Sequence, residues 1–147
     1  MLNKSLTAFL LIMVSLLAGC QYSDSSDHNQ EELAVATIVG TVSYRERIAL
    51  PENAKVTVTL QDISLADAPS VEIARTEFDS FGFQSPFAYQ LDYDPSKIIE
   101  NHRYSVSARI TVDGQLKFIT DTVYSVITDG NETDEVDLKL IAIGNPQ

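Results

Sequence analysis

A single cysteine, no tryptophan and two histidines in 147 residues remove several function classes at once. One thiol cannot close an internal disulfide, so packing must hold the fold. His28 and His102 lie far apart and lack cysteine partners, which excludes the usual structural zinc spacings; neither a metal nor a cofactor is expected. Cations are scarce as well: ten Lys and Arg stand against 21 Asp and Glu, a net charge of −11. A surface of that sign repels phosphate backbones, so nucleic acid is excluded as a partner. The sequence contains no glycine-rich phosphate loop, no metalloprotease helix and no G-x-S-x-G nucleophile turn. No stretch carries a long helical period.

What is present begins at the N-terminus. Lys4 precedes an apolar segment, Leu6 to Leu17, laid out as a secretory signal peptide. Leu6 to Gly19 is shorter than the roughly 18 to 20 residues that an uncleaved span requires. The segment ends in Leu17-Ala18-Gly19-Cys20, a junction that resembles the lipobox of bacterial lipoproteins. There a leucine and small residues are recognised by the signal peptidase, and the cysteine receives a diacylglyceryl group. The resemblance implies that Cys20 is the lipid-attachment site and first mature residue, with residues 1–19 removed. Cleavage to a soluble periplasmic protein is the alternative, and it would leave Cys20 without a use. In enterobacterial-type sorting an aspartate after the cysteine favours the inner membrane, so Gln21 points to the outer membrane. Losing Lys4 takes the net charge of −11 to −12. Two or more acyl chains hold a protein firmly where one does so only marginally, so the N-terminal acyl chains suffice as the membrane contact.

Residues 20–33 combine the lipidated cysteine with a Ser-, Asp- and Asn-rich stretch that cannot bury enough apolar surface to offset chain entropy, and they read as a flexible tether. From residue 34 to 147 the period is two. Ile38, Gly40, Val42 and Tyr44 share one face of a first strand, and Val56, Val58 and Leu60 one face of a second, Lys55 to Asp62. Val71 to Phe78 is a third strand of weaker pattern, and Phe87, Tyr89 and Leu91 mark a fourth. Asp94-Pro95 supplies a cap and a first-turn proline for a short helical crossover. Tyr104 to Val112 has the clearest alternation; Asp113-Gly114 turns it into Leu116 to about Tyr124, and Val136 to Ala142 is the last strand. About seven antiparallel strands in a single domain imply an all-β sandwich, immunoglobulin-like or transthyretin-like, with a small barrel as runner-up. Without tryptophan or a cysteine pair it is not an antibody-type domain.

The residues offer little catalytic chemistry. His102, within Glu100-Asn101-His102-Arg103, reads as a satisfied loop histidine; a periplasmic hydrolase is the contrasting reading and would depend on it. The acidic run Asp129 to Glu135 fits a calcium loop poorly, lacking the glycine and the final glutamate in register, and reads as a hairpin turn. Arg45, Arg47, Arg103 and Arg109 are expected to pair with acids such as Glu46, Asp62 or Asp121. Tyr44, Arg45 and Arg47 at a strand end form a candidate partner patch, Tyr and Arg being frequent interface anchors. Phe81 and Phe83, in a loop, either cover an open end of the core or join that patch.

Further stretches carry a family likeness: Tyr44-Arg45-Glu46-Arg47-Ile48-Ala49-Leu50-Pro51, Leu60-Gln61-Asp62-Ile63-Ser64-Leu65-Ala66-Asp67-Ala68-Pro69, Pro86-Phe87, Tyr93-Asp94-Pro95, Arg103-Tyr104 with Ala108-Arg109-Ile110, and Asp121-Thr122. At these residues, over about Val39 to Leu140, the chain resembles the YbaY/YscW family of outer-membrane lipoproteins. The resemblance implies a compact β-sandwich without an established activity; the YscW-type members are pilotins, which chaperone secretin subunits to the outer membrane. The expectation is a non-enzymatic lipoprotein, a monomer anchored in the outer membrane and facing the periplasm, that binds or helps assemble another envelope protein. A pilotin-like secretin chaperone is the alternative within that class.

Overall fold

The computed structural model describes residues 34–128, 130 and 134–144. Cys20 with its flanking Leu17, Ala18, Gly19 and Gln21, the tether, His28 and most of the acidic run at 129–135 lie outside the described residues. Among the described residues eight strands are formed: β1 (Ala36–Tyr44), β2 (Lys55–Asp62), β3 (Val71–Asp79), β4 (Phe87–Tyr93), β5 (Tyr104–Val112), β6 (Gln115–Thr120), β7 (Tyr124–Val126) and β8 (Leu138–Ala142). They make one sheet in the order β3-β2-β5-β6-β8-β1-β4, with β7 pairing β5 off that path. The two end strands, β3 and β4, come together, so the sheet curls into a nearly closed barrel. The expected all-β domain is therefore present, its two layers being one continuous sheet.

Alternation dictates the interior. Ile38, Val42, Val56, Val58, Leu60 and Leu91 are buried with Val106, Ile110, Leu138 and Leu140, each contributing about 1.5–3 kcal/mol by leaving water. Thr57 and Thr59, on the outward face of β2, are buried too, and Thr57 Oγ1 donates to Glu77 Oε2 on β3 at 3.3 Å. Asp113 and Gly114 both take positive φ, 51° and 75°, as the two-residue hairpin turn requires. Asp94 caps a 3-10 turn, Pro95–Lys97, by accepting from Ser96 N at 2.9 Å.

Three departures from the alternation have local causes. The weak pattern of β3 reflects a bulge: Leu60 pairs Ala74 but Gln61 pairs Glu72, leaving Ile73 as the extra residue and changing the face that follows. The strand expected over Leu116 to Tyr124 is two: β6, lying between β5 and β8, ends at Thr120, and Tyr124–Val126 pairs the first residues of β5 instead. The strands are also not all antiparallel. β8 runs parallel to β1, Val42 opposite Leu138 and Tyr44 opposite Leu140, an orientation that a strand's own period does not encode.

A strap just before β8 continues this parallel seam. Val39 N donates to Asp134 O at 2.7 Å and Val136 N donates to Val39 O at 2.8 Å. Tyr89 Oη, on β4, donates to Val136 O at 2.9 Å. Burial first, and then the Asp137 charge, pushes the Tyr89 hydroxyl well above its ordinary value, so it stays protonated and donates. Other tyrosine hydroxyls also staple loops: Tyr44 Oη donates to Ile48 O at 2.7 Å, and Tyr104 Oη accepts from Ile99 N at 2.8 Å. The aromatic payload of each ring goes into the core while its polar tip fixes a connection.

Candidate functional site

Strand register sorts the loops to two ends of the barrel. Lys55 lies opposite Asp79 and Thr111, and Val42 opposite Phe87, so the loops at 45–54, 80–86 and 113–114 share one end. Asp62 lies opposite Val71 and Tyr104, and Ala36 opposite Tyr93, which places the loops at 63–70 and 94–103 at the other, where the chain enters.

All five residues of the candidate patch lie at the far end, but one of them is withdrawn from the surface. Tyr44 is not a surface residue: it is 8% exposed and stacks on Phe118 at a 4.6 Å centroid distance. Arg45 and Arg47 are exposed beside it. Phe81 and Phe83 are each 68% exposed, so they do not cover the core; Leu50, Ala54 and Phe87 are buried there instead. The aromatic loop is nonetheless fixed. Buried Ser80 donates from its N to Ala54 O at 2.8 Å and from Oγ to Pro51 O at 2.9 Å, and the turn that follows takes positive φ at Phe81 and Gly82. The arginine pairs expected from the sequence do not form among the described residues, where the Lys/Arg ion pairs are Lys55 with Glu77 and Asp79, and Arg75 with Glu72. The acids named as partners are elsewhere: Asp62 holds His102, and Asp121 accepts from Thr122.

The entry end carries a feature that the sequence did not announce. Asp62, Leu65, Pro69, Val71, Glu72, Ile73, Lys97, Ile99 and His102 line an open groove of about 610 Å³. Its apolar side chains face water: Leu65 is 68%, Val71 58% and Ile99 53% exposed. The bulge in β3 places Ile73 in this lining, and the Tyr104 hydroxyl pins the opposite wall at Ile99. Leu65 had fallen between the second and third strands, Ile99 in the short helical crossover, and Val71 at the start of the third strand. The available signal was apolar side chains in loops and at a strand end that no alternation needed.

A small polar clasp holds the groove's corner. His102 Nδ1 lies 2.6 Å from Asp62 Oδ2, and Asp62 Oδ1 accepts from Ser64 N at 2.9 Å and from Ser64 Oγ. Arg103 N donates to Ser64 Oγ at 2.8 Å, and Thr128 Oγ1 to His102 O at 2.6 Å. Ser, His and Asp are thus together, but in the wrong order for catalysis. The serine hydroxyl donates to the aspartate rather than to the imidazole, so no base can take its proton. His102 ties loops together.

Burial of Asp62 acts to raise its pKa, but the hydrogen bonds from Ser64 and His102 outweigh it and hold the carboxyl below its ordinary value of 3.8. A folded value below the unfolded one means that the clasp stabilises the protein fully above the unfolded value. That stability is lost as pH falls through the folded value. Asp62→Asn is therefore expected to flatten the acid limb of the melting-temperature profile below about pH 4; limbs of equal slope in mutant and wild type would refute the assignment.

A solved structure of an alternative pilotin from the type II secretion system of Vibrio cholerae is 56% identical, with a TM-score of 0.74 over 76% of this chain and all of that one. An uncharacterised lipoprotein of Escherichia coli K12, YbaY, is 43% identical over 114 residues, 78% of this chain. The match spans 59% of that relative's length. The class so defined is a family of lipoproteins described as secretion-system chaperones. The family model described as type III secretion system lipoprotein chaperone (YscW) matches residues 33–140, and the chain belongs to that family.

Proposed function

We propose that this protein is a pilotin: a monomeric lipoprotein, acylated at Cys20, that binds a secretin subunit and accompanies it to the outer membrane. The observation that carries the reading is the exposed apolar groove at 610 Å³ lined by Leu65, Val71, Ile73 and Ile99. A concave apolar surface withdraws a client segment from water on more than one side, as a chaperone must, whereas the exposed Phe81–Phe83 loop meets a partner only at its tip. Membership in the lipoprotein-chaperone family and the likeness to a pilotin support the client class. Gln21, in place of an aspartate, supports the outer membrane as destination, with the barrel on the periplasmic side. Arg45, Arg47, Phe81 and Phe83 are a secondary contact region at the other end.

The test is secretin placement in a deletion strain. Loss of the gene should leave secretin subunits unassembled or in the inner membrane, and wild-type complementation should restore them. Val71→Asp or Ile99→Asp should not restore them, since a charge in the centre of an interface costs at least about 2 kcal/mol, tenfold or more in affinity. Both side chains are exposed, so the barrel itself should keep its melting temperature. Correct secretin multimers in the deletion strain would end the pilotin reading.

A further inference from the structure

We infer that the segment received by the groove is apolar at its centre and flanked by lysine or arginine, so that the protein's acidity steers its client. The inference rests on the groove being the docking site. The apolar floor accounts for the client's centre. The flanks follow from charge around that floor: Asp62 and Glu72 line the groove, and Asp67, Asp94 and Glu100 lie in the two loops that border it.

Three cations stand nearby. Arg75 is already paired with Glu72, leaving Lys97 on the rim and Arg103 beside it. Asp67 and Glu100 are exposed, and among the described residues neither has a hydrogen bond or ion pair to occupy it. The local balance is negative and continues the sign of the whole chain, −11 before the signal is removed. An acidic rim attracts basic flanks over about a Debye length, roughly 10 Å at 0.1 M salt, speeding encounter and rejecting acidic competitors.

Two synthetic peptides test this with the detergent-solubilised lipoprotein. They share one leucine- and valine-rich stretch and differ only in carrying two lysines or two glutamates at each end. The lysine-flanked peptide should bind roughly tenfold more tightly at low salt, through a faster association rate. The gap should shrink as salt is raised. Asp67→Asn with Glu100→Gln should narrow it several-fold while leaving the melting temperature unchanged, and Lys97→Ala should widen it. Val71→Asp should abolish binding of both peptides.

Equal affinity for the two peptides, with both lost in Val71→Asp, would overturn the charge inference and leave the groove as the docking site. Binding of neither peptide, or binding that ignores Val71→Asp, would overturn the groove itself. Dimerisation of the chain through Val71 and Ile99, seen by sedimentation, would overturn both by giving the groove to a second copy.

Discussion

Cys20→Ala should abolish incorporation of labelled fatty acid, and with a conventional cleavable signal in place of residues 1–19 it should release the domain from the membrane fraction into the osmotic-shock fluid. The expected change is close to complete. Each buried methylene is worth about 0.8 kcal/mol, and one myristoyl chain binds with a constant of only about 10⁴ M⁻¹, so a second chain already converts marginal attachment into firm anchoring. Among the described residues, the exposed rings of Phe81 and Phe83 would contribute about 1.5–3 kcal/mol each on burial, less than one acyl chain at about 0.8 kcal/mol per methylene. With the pilotin role proposed above, secretin placement should fail in the same strain, because a chaperone free in the periplasm carries no membrane address. A Cys20→Ala protein that sediments with membranes under these conditions would refute the anchor.

Gly40→Ala should be the most destabilising single-methyl change in the barrel. A Cβ at Gly40 would lie 1.9 Å from Val136 O and 2.6 Å from Val136 C. Those are backbone atoms, and they cannot rotate aside as a side chain would. The strap before β8 must therefore lift away, taking with it the hydrogen bonds of Val39 to Asp134 and Val136 and that of Tyr89 to Val136 O. Overpacking costs typically about 1–3 kcal/mol and each of the three lost hydrogen bonds about 1 kcal/mol, so about 4–6 kcal/mol is expected. Against a total of about 5–15 kcal/mol that is a large share. The urea midpoint should fall accordingly; a change below about 0.5 kcal/mol, the scale of an ordinary surface substitution, would mean that the strap does not pack on β1 as described.

Both effects depend on features of different legibility. The alternation of Tyr104, Val106, Ala108 and Ile110 specified a strand with one buried face, and Asp113-Gly114 specified its turn, because period and turn chemistry are local properties. Gly40, by contrast, reads in sequence as one more inward position on β1. Its necessity comes from a strap almost a hundred residues away, and no local rule reports such an approach. The parallel pairing of β1 with β8 was hidden for the same reason.

The groove was obscured differently. Leu65, Val71 and Ile99 belong to three separate segments, none of which carries a motif, and only closure of the sheet with its β3 bulge brings them to one surface. Tyr44 shows the opposite error. As a sequence neighbour of Arg45 and Arg47 it looked like an interface anchor, yet its position in the alternation sends the ring to the core, where Phe118 receives it.

The place of β1 within the sheet has a mechanical consequence. β1 is the strand through which the chain from Cys20 enters the barrel, and it is flanked on one side by β4 and on the other by β8. The start of β1 and the groove loops at 63–70 and 94–103 lie at one end of the barrel. With the anchor and client proposed above, tension between them would be applied at that end and would reach β1 at a strand hydrogen-bonded on both flanks. Two ladders would have to open before β1 could leave, where an edge strand is held by one. Entry through an interior strand thus doubles the backbone pairing that resists such a pull.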